Sequence, residues 1–450
     1  MKKSRTPRAP LSEAADALRE RAQAFHGSRS GAPWVRLEEP VGEASILGLV
    51  RQLPAHREGV YWCDRDHHGE WGGWGVAREW AFTGDVPTFL KTVLHDLDRA
   101  PEGVRLGGGW AMDPGASRDA SWGDFGSGLF WAPVLEWGRR GKEAYLALNV
   151  PEGGLEAGLW GELDGILGQL GRADSPLPGI PQGKVVDHHP DEAQWLARVE
   201  DVLGEIQRGT YRKIVLARKT RVEMDEGADP ASYLATRMHS GLDVFFLRRG
   251  GSVFWGLSPE RLISRNHDQI WSEALAGTRP RGANAGEDKK LERELLGSEK
   301  DRREQDLVRE FIEGTMGPWC SRVQTGITQV RKFRSIQHLY TPFQGQLKEA
   351  DAFADLAGAL HPTPAVAIFE RGRRLDLIRD LEGFDRGWYG GVAGWLGKGQ
   401  GELAVGIRSC LSRGASWTFW TGAGIVDGSH GHREWHELDQ KLAAYGDLLS

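Results

Sequence analysis

Two stretches of this 450-residue chain carry carboxylates at helical spacing, "EKDRREQDLV" (299–308) and "HREWHELDQKL" (432–442). In the first, Asp301 and Glu304 stand three apart and therefore project from one helix face. In the second, Glu434 and Glu437 repeat the relation, with Lys441 one turn further on. A single pair of this kind is ordinarily a solvated surface feature. Two pairs converging on a cleft are different, because several carboxylate oxygens suit a hard cation such as Mg2+, which keeps positions for water or a substrate carboxylate. Zinc would want nitrogen or sulfur.

Single residues in unusual company add to this. "RKIVLAR" (212–218) sets Lys213 at the head of a short apolar strand, where an ammonium group would lose its water. "GLSPERL" (256–262) puts Glu260 after a proline at a strand end, and "SEALAGTRPRG" (272–282) puts Gly277 and Thr278 in a turn able to present amides and a hydroxyl. Arg408, in the apolar strand "VGIRSC", needs an anionic partner. His338 in "IQHL" and His361 in "HPTPAV" read as hydrogen-bonded core residues. The "DHH" triplets at 66–68 and 187–189 hold adjacent histidines that splay apart, so they are poor metal sites. "GGGW" (107–110) and "GKGQGE" (397–402) lack the lysine and serine of a phosphate loop and read as turns.

The elements that must position these residues can be read from periodicity. Helices are expected over 12–26, 86–98, from about 190, over 288–314 as one long helix, over 353–360, 372–381 and 432–448. Alternating aromatic and small residues between glycines at 60–84, and the runs 142–150, 213–218, 242–249, 251–258, 387–396, 402–411 and 416–426, predict strands. "VRKFRSIQHLYTPFQGQL" (330–347) predicts two more, and a glycine- and arginine-rich loop is expected at 276–286. The Pro- and Gly-dense 171–183 is the clearest loop, but no linker is long enough to split the chain. With no repeat of fixed period, the fold class is α/β of the α+β type, with extensive antiparallel sheet.

Composition closes off other functions. A net charge of −6 with scattered basic residues gives no electrostatic footprint for nucleic acid. Three widely spaced cysteines argue against disulfides or structural zinc and for a reducing cytoplasm. No run of 18 apolar residues occurs and no apolar segment follows the basic "MKKSRTPRAP", so neither a membrane partner nor export is expected. The 61 glycines and 19 tryptophans together suggest a loop-rich sheet protein. With no coiled-coil seam or long apolar edge, a monomer is expected.

Taken in order, "KIVLAR", "GLSPERL", "LAGTRPRG", "KDRRE", "IQHL", "HPTPAV", "FDRGWYGGVAGW", "AVGIRS", "GAGIV" and "EWHELDQKL" resemble the chorismate-utilising enzymes. That family includes isochorismate, salicylate, anthranilate and aminodeoxychorismate synthases. The likeness covers residues 190–448 in detail, so 186–450 would be the chorismate-binding catalytic region and 1–185 the variable amino-terminal half of the same domain. It implies a single large domain of antiparallel sheets flanked by helices around a cleft, as in anthranilate synthase component I, with Mg2+ on the ring carboxylate of chorismate.

The resemblance also implies roles. Glu304 and Glu437 match the principal metal ligands, with Asp301 and Glu434 beside them. Members that use water as nucleophile carry a lysine where Lys213 stands, and ammonia-using members carry glutamine. Lys213 would then be the general base, burial favouring its uncharged form, and Glu260 the general acid for the departing hydroxyl. Arg408, Tyr389, Gly422, Ala423, Gly424 and Lys441 would hold the substrate's carboxylates and enolpyruvyl arm, with Gly277, Thr278 and His338 lining the ring. Ala276 stands where aminodeoxychorismate synthases carry a nucleophilic lysine. Together these imply isomerisation of chorismate to isochorismate, for menaquinone or a siderophore. A salicylate synthase, which also eliminates pyruvate, is one alternative. The other is a catalytically impaired chorismate-binding paralogue, suggested by Gln305, Ile368 and Glu370, which depart from the family's usual His, Gly and Pro.

Overall fold

The computed structural model describes residues 10–26, 34–42, 45–66, 69–151, 153–171, 179–237, 241–333, 336–369 and 374–449. His67, His68, Glu370 and most of the 171–183 loop lie outside them. The alternating runs pair into two antiparallel sheets. The first has eleven strands in the spatial order Trp34–Val41, Glu143–Pro151, Leu135–Arg140, Gly69–Trp74, Gly59–Cys63, Asp243–Arg249, Ser252–Ser258, Ser409–Arg413, Ser416–Val426, Lys213–Met224 and Gly183–His189. The second, of ten, runs Cys320–Thr325, Ile336–Leu347, Gln269–Pro280, Arg261–Asn266, Gln400–Val405, Val392–Gly397, Arg105–Trp110, Gly128–Ala132 and Arg78–Ala81, with Gln329–Lys332 also on Ile336–Leu347. Strands from both halves of the chain share each sheet.

The aromatic residues explain why the sheets stay together. Trp62, Trp71, Trp122, Trp131, Phe254, Trp388 and Trp420 form one buried cluster with members from both. Each such ring removes a large apolar area from water, roughly 2–3 kcal/mol apiece. The glycines are their complement. "GGGW" is a strand rather than a turn, held between Val392–Gly397 and Gly128–Ala132. A Cβ on Gly109 would run into the Val392 carbonyl, so the residue is glycine because two backbones approach closely there.

Four expectations about single elements need correction. The long helix is two, Ala285–Gly297 and Glu299–Met316. Ser298 interrupts it with an extended ψ of 117°, and its hydroxyl accepts the Asp301 N–H to start the second helix. The run 402–411 is likewise two strands in different sheets, Gln400–Val405 and Ser409–Arg413, so Arg408 lies in the crossing between them and not within a strand. The 276–286 loop begins as strand Gln269–Pro280, whose pairing with Ile336–Leu347 slips between Ala276 and Thr278 in a β-bulge. The last helix ends earlier than expected, at Ala443. The second "DHH" closes the edge strand Gly183–His189, where successive side chains alternate faces. Cys63, Cys320 and Cys410 are buried and form no disulfide among the described residues, and no helix of the described residues is long and apolar enough to cross a membrane.

Because the Ser298 cap starts the helix that carries Asp301 and Glu304, Ser298→Ala is expected to lower unfolding free energy by about 1 kcal/mol in urea titration, and Ser298→Asp to retain it.

Candidate active site

Lys213 and Glu304 meet across a glycine. Lys213 opens the strand Lys213–Met224 and shares a sheet face with Val215, opposite Val426 and Gly424 of the neighbouring strand. Its amine is fully buried and lies 3.0 Å from Glu304 Oε1, without an aligned hydrogen bond. A Cβ on Gly424 would press on the Glu304 carboxylate and come within 3.2 Å of Lys213 Cε. That residue has no side chain because the ion pair occupies the space.

The two acidic helices are adjacent, and Lys300 joins them. Lys300 Nζ lies 2.7 Å from Glu434 Oε1, and Lys441 Nζ lies 2.8 Å from Glu437 Oε1 and donates to the Gly422 carbonyl at 2.7 Å. Burial raises the Glu434 carboxyl, with Glu437 and Glu304 adding to the effect against Lys300. Burial would raise Glu437 too, but Lys441 and Lys300 hold it below the usual range. The Lys300 ammonium, which burial alone would lower, is held above its ordinary range by Glu434, Glu304 and Glu437. Three carboxylates therefore converge here. Asp301 does not join them, because it pairs with Arg279 at 2.6 Å and packs against Gly277.

Whether these residues suit Mg2+ turns on their donors. The three converging groups are carboxylates, the oxygen donors that ion prefers, and their mutual repulsion is what a dication relieves. As they stand, no three potential ligands among the described residues form a coordination shell, since each carboxylate is turned onto its own lysine. Donor type and position fit, provided the carboxylates exchange partners.

Beside them opens a pocket at the seam of the two sheets. Glu304, Glu437, Lys441, Val215, Trp420, Gly422 and Gly424 wall one side, and Ala276, Gly277, Thr278 and His338 another. Glu260, Tyr389 and Arg408 complete it from segments near the crossings between sheets. Lys213 stands behind this wall, covered from solvent. Ala423 faces away, because alternation along its strand brings only Gly422 and Gly424 inward.

Each of these walls has a definite electrostatic character. Burial, then the neighbouring Glu273, push the Glu260 carboxyl up to about 8, against Thr363, Lys213 and Arg65, so it carries a proton at neutral pH. Thr363 Oγ1 donates to it at 3.3 Å. The Gly277 carbonyl can only accept, so His338 Nδ1, 2.9 Å away, holds the ring proton. Its Nε2 is then a buried acceptor with no hydrogen-bond partner among the described residues. Burial lowers this imidazole to about 3 and keeps it neutral. Gly277 has φ +66°, the left-handed conformation that lets the bulge turn Thr278 and His338 to the pocket. Arg408 has φ +50°, a strained value for a non-glycine residue. It has no carboxylate partner among the described residues, so its guanidinium remains for an anion in the pocket.

Gln305 and Ile368 do not line the pocket. Gln305 Nε2 donates to the Ala274 carbonyl and Thr341 Oγ1, and Ile368 sits in the core bridged to Ile214. Lys300 and Glu273 are contributors that residue-by-residue reading did not find. Lys300 had a signal, lying four residues before Glu304 on the same helix face. Glu273 had none, since only folding brings it beside Glu260.

Comparisons with known proteins bear on the family and the fold. A family model described as chorismate binding enzyme matches residues 21–450. The chain belongs to the chorismate-binding enzyme family. It is 33% identical over 420 residues to isochorismate synthase MenF of Bacillus subtilis, covering 90% of this chain and 85% of that one. To isochorismate synthase 2, chloroplastic, of Arabidopsis thaliana it is 35% identical over 360 residues, 77% of this chain and 64% of that one. Among solved structures, MenF, the menaquinone-specific isochorismate synthase of Escherichia coli, superposes with a TM-score of 0.81 at 26% identity over 97% of this chain and all of that one. Anthranilate synthase component I of Streptococcus pneumoniae shares the fold, with a TM-score of 0.62 at 18% identity over 93% of each chain. The two antiparallel sheets flanked by helices are thus this family's architecture.

A methyl group at Gly424 would first meet the flexible ends of Glu304 and Lys213. Gly424→Ala is therefore expected to fold with a melting temperature near that of the parent, while turnover falls about a hundredfold from displacement of the pair. A large loss of thermal stability would show the glycine to be structural instead. A second expectation concerns pH. A carboxyl raised in the folded state holds its proton there while the unfolded chain has lost it, so its stabilising contribution is present in acid and disappears as pH rises from the ordinary carboxylate range through about 8. The stability of the parent relative to Glu260→Gln should fall across that window in urea titrations at stepped pH.

Proposed function

We propose that the protein is an isochorismate synthase, an isomerase that adds water at one allylic ring carbon of chorismate and expels hydroxyl from another. The observation that carries this reading is Lys213, an amine buried against one wall of the pocket while a protonated carboxyl, Glu260, stands in another. Water addition needs a base on one ring face and an acid on the other, and the enolpyruvyl arm is unchanged. The names of the relatives support the same reaction, and Ala276 leaves no nucleophile for a covalent adduct.

In this reading Lys213 takes the proton from water and Glu260 delivers its own to the departing hydroxyl, which leaves as water. To act as a base, the amine must give up its present pairing with Glu304. Arg408, with Tyr389 and Lys441 nearby, neutralises the substrate's carboxylates. His338 Nε2 accepts from a ring hydroxyl, beside the Thr278 hydroxyl. Glu304, Glu434 and Glu437 would hold Mg2+, which when bound supplies positive charge to the ring carboxylate. Asp301 acts behind them through Arg279.

Salicylate formation is the second reading, because one relative, from Pseudomonas aeruginosa, is named salicylate biosynthesis isochorismate synthase and is 34% identical over 363 residues, 78% of this chain and 75% of that one. Incubation with chorismate and Mg2+ separates the two. Isochorismate alone is expected, whereas salicylate and pyruvate rising in step would establish the second. Anthranilate, formed only with ammonia, would overturn both.

Lys213→Gln is expected to abolish water addition while leaving Mg2+-dependent substrate binding, measured by calorimetry. Retained turnover would assign the proton transfer to another group. Since the acid must be protonated, kcat/KM should decline as pH rises through about 8. A profile flat to pH 9 would remove Glu260 from that role.

A further inference from the structure

The three carboxylates at the joint of the acidic helices are matched by three lysines, but the lysines are not equivalent. Lys213 is wholly buried on its strand. Lys441 is tied to the Gly422 carbonyl as well as to Glu437. Lys300 has carboxylates as its neighbours. It lies 2.7 Å from Glu434, itself only 3% exposed, with the charges of Glu304 and Glu437 close by, and its own side chain is 29% exposed. A long, flexible, partly solvated stem ending in a positive charge among three carboxylates can swing out without breaking any backbone contact.

We infer that Lys300 is the resident counter-ion of this site: with no divalent ion bound, its ammonium takes the place between the two helices, and an ion enters only as that ammonium withdraws toward solvent. The inference rests on the metal reading given above and adds that this chain sets its ion affinity by internal competition. Two costs combine to weaken ion binding. The incoming cation must displace a charge-assisted hydrogen bond, and it meets a site whose net charge the lysines have already cancelled. The same contact holds the helices Glu299–Met316 and Gly431–Ala443 together when no ion is there.

Lys300→Met keeps the length of the stem and removes the charge. Binding of Mn2+ to the complete protein, counted from the electron paramagnetic resonance signal of the free ion without substrate, should tighten about tenfold or more relative to the parent. Lys398→Met, which removes an exposed charge outside the pocket, should leave it unchanged. Equal or weaker Mn2+ binding by Lys300→Met would overturn the competition while leaving the metal site standing. Absence of Mn2+ binding in both proteins would overturn the metal reading itself. The unsubstituted protein gives a second test that needs no variant. Its Lys300 should react faster with an amine-directed acylating reagent when Mg2+ is added, as read by peptide mass spectrometry. Unchanged labelling in protein that does bind Mn2+ would also overturn the inference.

Discussion

Carboxylates brought together out of water repel one another, and the arrangement of the site follows from how that repulsion is met. Glu304, Glu434 and Glu437 come from two helices far apart in the chain and converge at one point. They remain there because Lys213, Lys300 and Lys441 each neutralise one of them. Buried ion pairs of this kind contribute little to stability once desolvation is counted. Their persistence is better understood as readiness: a cluster of paired charges can exchange an internal cation for an external one, or release an amine for chemistry, with little rearrangement of the backbone.

The backbone around the cluster shows the same constraint. Gly424 leaves room for the Lys213–Glu304 pair, and the bulge at Gly277 turns Thr278 and His338 toward the cavity while Asp301 packs beneath it. Ser298 starts the helix that presents Lys300 and Glu304 together. Arg408, held at an unfavourable φ in the crossing between two sheets, adds a cation that lacks a carboxylate partner among the described residues. Strain and incomplete pairing gather in this pocket, which is where a substrate bearing two carboxylates would supply the missing anions.

Two groups that line the pocket are held uncharged by ordinary means. Glu260 stays protonated because it is buried and because Glu273, itself held by Arg65 and by the Arg261 N–H, stands close by. His338 stays neutral because it is buried and because the Arg408 cation stands near, both outweighing the hydrogen bond to the Gly277 carbonyl. Neither needs special chemistry. Position between two sheets, away from solvent, is enough to fix both protonation states.

Much of this was legible in the sequence. Period-two alternation between glycines marked strands such as Gly59–Cys63, Asp243–Arg249 and Ser416–Val426 but not Trp34–Val41, Gly183–His189, Arg261–Asn266 or Cys320–Thr325, and the i, i+3 carboxylates in "KDRRE" and "EWHEL" marked the acidic helices, because side-chain direction within one element follows from local geometry. The order of motifs pointed to the family. Other features were invisible for a physical reason: they depend on which elements meet. The sequence could not tell that Ser298 would divide a helix, that 402–411 would be shared between two sheets, or that "GGGW" is a strand made tight by its neighbours. It gave Asp301 and Glu434 the same standing, and only packing turned one toward Arg279 and the other toward its fellow carboxylates. The residue types capable of chemistry are fixed by the chain itself, whereas their partners, burial and charge depend on contacts between segments hundreds of residues apart, which exist only once both sheets have closed around the cleft.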